Sequence, residues 1–162
     1  MEHHIIYIST ADHLMTTEEL STILEESRQW NQDHGITGML LYVEGIFASL
    51  GKRNVESAIA GRFMQILEGS REEVEIIFNK IKKDPRHCNV TPIENAPSSG
   101  RYFESWQMGF KVLSASELKD NSDFFNPDIL FASGSEQELS HPLNFLRSFY
   151  LRGQSQQTFF QP

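Results

Sequence analysis

The chain has 162 residues and a formal net charge of −8. This length suits one domain with a modest extension. The 14 Lys and Arg residues form no basic run, so we expect no nucleic-acid partner. Cys88 is the only cysteine, which excludes an intramolecular disulfide and fits a reducing cytoplasm. We expect a soluble, cytoplasmic protein that does not enter a membrane, since the sequence lacks a signal-peptide pattern and a membrane-length apolar run.

The first half of the sequence predicts a strand, a helix and a second strand. Alternation over 4–9 predicts a strand with Tyr7 on the face that also carries Ile5 and Ser9. A capping box over 16–19 then opens a helix whose apolar stripe ends in the amide of Asn31. That asparagine is either a satisfied helix-end residue or a ligand contact. The glycine after the helix and the apolar run 36–43 predict a central strand.

The stretch 62–69 predicts a third strand with the amide of Gln65 among apolar neighbours. A buried amide must be hydrogen-bonded, because leaving it unpaired costs roughly 1–3 kcal/mol. A capped helix follows and ends at Asp84-Pro85, and a strand over 88–94 and a loop over 96–100 come next. A last strand is predicted over 102–113. The order gives an α+β fold, a ferredoxin-like βαββαβ sandwich with an added fifth strand and two helices on one face.

The composition changes after Leu113. We expect a C-terminal helical extension over 114–152, which includes an amphipathic helix over 139–151, and a flexible tail over 153–162. The apolar stripe of that helix predicts packing on the sheet or on a second subunit. We therefore expect a homo-oligomer.

Several separated stretches resemble one family, the BLUF domain, which senses blue light with a flavin. They occur in the family's order over about residues 4–113, so the BLUF domain is assigned to 1–113. The matching stretches are Ile5-Ile6-Tyr7-Ile8-Ser9, Asn31, Gly35-Ile36-Thr37-Gly38-Met39-Leu40-Leu41-Tyr42, Phe63-Met64-Gln65-Ile66-Leu67-Glu68-Gly69, Asp84-Pro85-Arg86-His87 and Phe103-Glu104-Ser105-Trp106-Gln107-Met108-Gly109-Phe110. Compared with typical members, about 16 residues at 46–61 are extra; we expect a tolerated surface insertion, with a lid or partner site as the alternative.

The resemblance implies a noncovalently bound FAD, with FMN possible, between the two helices. It implies that Asn31 bonds the C4 carbonyl and N3 edge of the flavin, and that Gln65 bridges flavin N5 and Tyr7. Arg86 and His87 would approach the C2 side and the ring. Apolar walls would come from Ile23, Leu24 and Ile77, with Ile66 or Leu67 from the sheet.

The family's light reaction is an electron and then a proton transfer from the tyrosine to the flavin through the glutamine. It leaves the amide of Gln65 rotated or tautomerised and moves the absorption slightly to the red. Trp106 or Met108 would lie beside Gln65 and carry the change through the last strand to a downstream protein effector. Residue types alone favour the alternative that Tyr7 and Gln65 are a mutually satisfied core pair and that Trp106 and Met108 are ordinary sheet packing.

Two alternatives remain at this stage. One is a small ferredoxin-like enzyme of the acylphosphatase type, in which Asn31 and Arg86 would hold a phosphoryl group. The sequence lacks the glycine-rich anion loop that such an enzyme needs after its first strand. The other is a regulatory domain without flavin. The histidines lack metal-ligand spacing, and no phosphate-loop or hydrolase motif occurs, so we expect neither a metal site nor an enzyme.

Overall fold

The fold comes from a computed structural model that describes residues 1–46, 59–105 and 107–113. Five strands and two helices follow one another in the predicted order. They are β1 (Glu2–Ala11), α1 (Thr17–His34), β2 (Thr37–Ile46), β3 (Ile59–Ser70), α2 (Arg71–Ile81), β4 (His87–Ser98) and β5 (Gly109–Leu113).

Both helices begin at the residues that the sequence indicates. Thr16 Oγ1 accepts the N–H of Glu19 at 3.2 Å, and the Glu19 carboxylate accepts the N–H of Thr16 at 2.8 Å. This confirms the predicted capping box, which satisfies two backbone donors that a helix N-terminus otherwise leaves unpaired. α1 ends at Gly35, whose φ of 62° is a left-handed conformation that glycine adopts without strain. Ser70 caps α2 by accepting the N–H of Glu73.

The sheet has the strand order β4-β1-β3-β2-β5. The first four strands pair antiparallel, and β5 pairs parallel to β2 at the edge. This arrangement confirms the ferredoxin-like sandwich with a fifth strand. The register sets Tyr7 of β1 and Leu40 of β2 on either side of Gln65 in β3, so that the amide lies in the middle of the sheet.

One face of the sheet forms a hydrophobic core with the helices. Its buried members include Ile5, Leu40, Tyr42, Phe63 and Leu67 from the strands and Leu20, Val74, Ile77 and Phe78 from the helices. Each such side chain contributes roughly 1.5–3 kcal/mol when fully buried. Residues that alternate with these on the strands, such as Ile6, Leu41 and Ile66, are also fully buried. β3 is therefore a central strand with both faces protected from water.

Two sequence predictions about the later strands were wrong. β4 continues to Ser98, so that three of the five residues of the loop predicted over 96–100 belong to the strand. The last strand begins at Gly109 and not at Tyr102. The Glu68 carboxylate accepts the backbone N–H groups of Tyr102 and Phe103, and this contact holds the chain in a turn in place of a ladder.

Parts of the sequence prediction fall on residues that the structure does not describe. The ends of the predicted insertion, Ile46 and Ile59 to Gly61, pair within β2 and β3, and 47–58 lie outside the described residues. The predicted C-terminal extension and tail, 114–162, also lie outside them. Within 1–46, 59–105 and 107–113, neither helix is long and apolar enough to span a membrane.

Candidate functional site

A cavity opens between α1 and α2 above the middle of the sheet. Its volume is about 120 Å³. Side chains of both helices, of β1, β2 and β3, and of the chain after α2 line it. Apolar side chains from the helices and the sheet, together with several polar and charged ones, thus form its walls.

Tyr7 and Gln65 meet at the floor of this cavity. They lie opposite each other on β1 and β3, and the Tyr7 hydroxyl donates a hydrogen bond to Gln65 Oε1. Both side chains are buried. Burial raises the pKa of the Tyr7 phenol far above its usual range, and the charge of Asp84 adds to the effect. Tyr7 is therefore a neutral hydrogen-bond donor at physiological pH.

The nitrogen of the Gln65 amide has a different kind of partner. Gln65 Nε2 donates to Met108 Sδ at 3.4 Å, so the predicted neighbour from the last strand is Met108. A thioether is a weak acceptor. Trp106, the other predicted candidate, lies outside the described residues. The amide is thus held firmly at its oxygen and weakly at its nitrogen.

Asn31 lies in the last turn of α1 and lines the same cavity. Only 2% of its surface is exposed. Its side-chain nitrogen donates to the backbone carbonyl of Gln107 at 2.5 Å, while the backbone carbonyl of Asn31 accepts the N–H of Ile36 at 2.8 Å. The chain before β5 thus holds this side chain in the cavity wall.

Arg86 and His87 line the cavity on the side of α2. The guanidinium of Arg86 pairs with Asp84 at 2.6 Å and with Glu26 at 2.8 Å, and these carboxylates raise its pKa. His87 Nε2 lies 2.8 Å from the Ile81 carbonyl, and Nδ1 lies 2.8 Å from Ser9 Oγ. A carbonyl only accepts, so the ring proton is assigned to Nε2 and the Ser9 hydroxyl donates to Nδ1.

The walls differ in part from the sequence prediction. Ile23 and Ile77 line the cavity, but Leu24 packs against the neighbouring core and is not part of the lining. Leu24 is rotated by about 100° around the helix from Ile23. It therefore points away from the face that carries Ile23 and the later lining residues Ser27 and Trp30. Leu40 and Phe63 form the sheet side of the cavity in place of the predicted Ile66 or Leu67.

Trp30 and Lys80 also line the cavity and were not among the residues that the sequence predicted. The Trp30 ring stacks on the His34 ring, with 3.9 Å between the two ring centroids. The Lys80 ammonium lies 3.9 Å from the centroid of the Trp30 ring. Trp30 follows Ile23 by seven positions, which is the helical spacing that would have shown it. Among the described residues, no group of three or more His, Cys, Asp or Glu side chains could hold a metal ion.

These residues fit a flavin ring. Such a ring is planar and apolar on its faces, with carbonyl and N–H groups along one edge, so it needs apolar walls and side chains that both donate and accept. Gln65 and Asn31 are amides of that kind in the wall of one cavity. The polar side chains of the lining suit hydrogen bonding to a heterocycle, and the lining residues include no glycine of a phosphate-binding loop.

The comparisons with known proteins agree with the geometry. The family model described as "BLUF: Sensors of blue-light using FAD" matches residues 3–55 and 53–109. The beta subunit of the photoactivated adenylate cyclase of Euglena gracilis is 33% identical over 101 residues, which is 62% of this chain and 10% of that subunit. The chain therefore spans about a tenth of the length of that curated relative.

Two solved structures of similar size share the fold. The dark-state structure of BlrB, a BLUF protein, is 25% identical with a TM-score of 0.58, covering 95% of this chain and 96% of BlrB. The photo-activated state of BlsA is 27% identical with a TM-score of 0.57, covering 91% of this chain and 95% of BlsA. The chain belongs to the BLUF family, the sensors of blue light that use FAD.

Proposed function

We propose that this chain is a blue-light photoreceptor in which Tyr7 and Gln65 form the photochemical pair. FAD, or FMN where the cell supplies it, binds noncovalently in the cavity between α1 and α2. The observation that carries the proposal is the buried hydrogen bond from the Tyr7 hydroxyl to the Gln65 amide in the floor of the cavity between the two helices. The protein acts as a sensor and not as an enzyme.

The bound flavin, once excited by blue light, supplies a strong one-electron oxidant. Tyr7 is the electron donor, because it is a buried neutral phenol in the cavity wall. Loss of an electron makes a phenol strongly acidic, and the Tyr7 proton already points at Gln65 Oε1. The proton would therefore pass through the Gln65 amide towards the group that took the electron, and both would later return to Tyr7, so that the cycle would end with the neutral phenol.

The amide of Gln65 can remain in a changed hydrogen-bonding arrangement after this cycle. It carries a donor at one end and an acceptor at the other, so rotation or tautomerisation exchanges the two. Among the residues that the structure describes, its nitrogen bonds the Met108 thioether, a weak acceptor, and so the exchange breaks no strong bond to them at that end. A rearranged amide donates more strongly towards the flavin edge, which shifts the absorption to the red without a covalent adduct.

The remaining lining residues orient the ligand. Asn31 offers its amide to the polar edge of the ring, and Ile23 and Ile77 supply apolar contact. Arg86 and His87 border the opposite side of the cavity. Leu24 supports α1 from the adjoining core and makes no ligand contact in this proposal.

The signal leaves through the last strand. Met108 bonds the amide directly and is followed at once by β5, so a change at Gln65 moves the chain that leads to the C-terminal extension. We propose that this extension passes the change to a downstream effector protein in the cytoplasm and that the protein acts as a homo-oligomer.

The acylphosphatase alternative has less support from the site. Such an enzyme needs an arginine that is free to hold a phosphoryl group. The Arg86 guanidinium is instead paired with Asp84 and Glu26. A phosphate would have to compete with two carboxylates for the same charge.

A light-minus-dark absorption spectrum of Gln65→Leu tests the proposal. We expect the variant to bind flavin and to lose the reversible red shift, since leucine fills a similar volume but carries no hydrogen-bonding group. Gln29→Leu, at an exposed glutamine of α1, is the matched control and should keep the shift. A full red shift in Gln65→Leu, or a wild-type protein that binds no flavin, would overturn the proposal.

A further inference from the structure

The chain just before β5 is attached to β3 at two points. We call residues 101–105 and 107–108 the pre-β5 segment. Near its beginning, the Glu68 carboxylate accepts the backbone N–H of Tyr102 at 2.8 Å and that of Phe103 at 3.0 Å. At its end, Met108 Sδ accepts a hydrogen bond from the side-chain Nε2 of Gln65. Gln65 and Glu68 are three residues apart on one strand, and so they face opposite sides of the sheet.

The attachment at Glu68 is the stronger one. The carboxylate is 1% exposed and also lies 3.4 Å from the hydroxyl of Thr37. Hydrogen bonds from backbone N–H groups to a carboxylate are charge-assisted and roughly twice as strong as neutral ones. Phe103 is 2% exposed, so loss of its bond to Glu68 leaves a buried backbone donor unpaired, whereas Tyr102 is an exposed residue. The beginning of the segment is thus fixed to β3.

The end of the segment is also held by α1. Asn31 donates to the carbonyl of Gln107, and Arg28 Nε donates to the carbonyl of Met108 at 3.2 Å. These contacts fix the end of the segment to a helix, whereas Glu68 fixes its beginning to the strand that carries Gln65. Glu68 is the contact that links the position of the segment to β3 independently of the photochemical amide.

We propose that Glu68 is a positioning residue for the light reaction: it anchors the beginning of the pre-β5 segment and thereby sets Met108 against Gln65 in the dark. This inference rests on the proposed function. The anchored segment favours the dark arrangement of the amide, because Met108 then stands where the Gln65 N–H points. A loosened segment lowers the free energy of the lit arrangement relative to the dark one, and the return to the dark state becomes slower.

The test is the rate of dark recovery of Glu68→Gln. Glutamine keeps the size of the side chain but offers only one acceptor oxygen, so one backbone N–H loses its partner. We expect recovery to slow by about threefold to tenfold, the range for one lost hydrogen bond. Glu75→Gln, which removes an exposed carboxylate paired with Arg71 on α2, is the control and should recover at the wild-type rate.

A double-mutant cycle separates positioning from a general loss of stability. Met108→Leu keeps an apolar side chain of similar size and removes the sulfur acceptor. If Glu68 acts through Met108, adding Glu68→Gln to Met108→Leu should change recovery by less than about twofold. Equal effects in both backgrounds would overturn the proposal, and so would wild-type recovery in Glu68→Gln. A wild type without any red shift would instead refute the proposed function.

Hydrogen exchange gives a measurement that needs no variant. The amide hydrogens of Tyr102 and Phe103 should exchange slowly in the dark and stay equally protected under continuous blue light, because the anchor does not open. The amide hydrogens of β5 should lose protection in the light. Loss of protection at Tyr102 and Phe103 to the same extent as in β5 would show that Glu68 does not anchor the segment.

Discussion

Gln65 and Glu68 are two buried polar side chains on the same strand, and they differ in what they can do. Gln65 faces the helices and the cavity, and it bonds a phenol and a thioether. Glu68 faces the other side and accepts two backbone N–H groups. Both contact the pre-β5 segment, Gln65 at Met108 and Glu68 at Tyr102 and Phe103. One strand therefore presents an amide on its ligand side and a carboxylate on its opposite side.

The difference shows how a reversible change can be confined to one face of a sheet. An amide exchanges donor and acceptor by a rotation and keeps its charge at zero. A carboxylate only accepts, and its two N–H partners belong to the backbone and cannot turn away. Rearrangement at Gln65 is thus allowed, while the contact at Glu68 stays fixed.

The largest expected effect comes from crowding the strand between these two residues. A Cβ at Gly38 of β2 would lie 2.0 Å from the backbone oxygen of Ile66, which adjoins Gln65. Backbone cannot move aside as a side chain does, so we expect Gly38→Ala to lower the free energy of unfolding by about 3 kcal/mol. Urea denaturation checks this. Gly100→Ala, where nothing lies within 4 Å, should be near wild type, and similar stability of the two variants would contradict the packing described.

The next largest effect concerns Asn31 in the cavity wall, where a substitution should change both protein stability and flavin affinity. Asn31→Ala removes a buried amide and leaves the Gln107 carbonyl without its donor, which costs about 1–2 kcal/mol of stability without flavin. Loss of one good contact to the flavin edge should also weaken flavin binding on the order of tenfold. A fluorescence titration measures the affinity. The exposed Asn79→Ala is the control, and equal affinities would show that Asn31 does not contact the ligand.

A smaller effect appears at alkaline pH. Burial, with the charge of Asp84, raises the pKa of Tyr7 above the ordinary phenol value of 10. The fold then retains a proton that the unfolded chain releases above pH 10, so stability is present below pH 10 and falls as pH rises, by up to about 1.4 kcal/mol per pH unit. Tyr7→Phe lacks this loss. Urea unfolding from pH 8 to 11 should show the variant gaining on the wild type above pH 10; parallel curves would contradict the assigned burial.

Local patterns were sufficient to predict most of the fold. The capping box at Thr16, the helix end at Gly35 and the strand β1 each depend on neighbouring residues, and each is present in the structure. The amide in the middle of an apolar strand likewise pointed to a buried polar contact. Because these signals are local, the order of elements could be predicted from the sequence; the meeting of Tyr7 with Gln65, 58 positions apart, was implied by the resemblance to the BLUF family.

The errors of the sequence prediction have two causes: contacts between residues far apart in the chain, and the rotation of a helix about its axis, which apolar spacing does not fix. The last strand begins late because Glu68 accepts the N–H groups of Tyr102 and Phe103, residues 34 and 35 positions away along the chain. No local pattern reveals such a contact. Leu24 was placed in the cavity wall because apolar spacing marks a helix stripe but does not fix which edge of the stripe meets the ligand. The choice between Trp106 and Met108 depended on the turn before β5.

Two buried tyrosines lie on the same face of the sheet, and a comparison of the two tests whether Tyr7 is required for the light reaction. Tyr7 donates to Gln65, whereas the Tyr42 hydroxyl accepts the N–H of Met15 at 2.9 Å. Light-minus-dark absorption of flavin-loaded Tyr7→Phe and Tyr42→Phe should show no red shift in the first variant and a reversible red shift in the second. A full red shift in Tyr7→Phe would contradict the account.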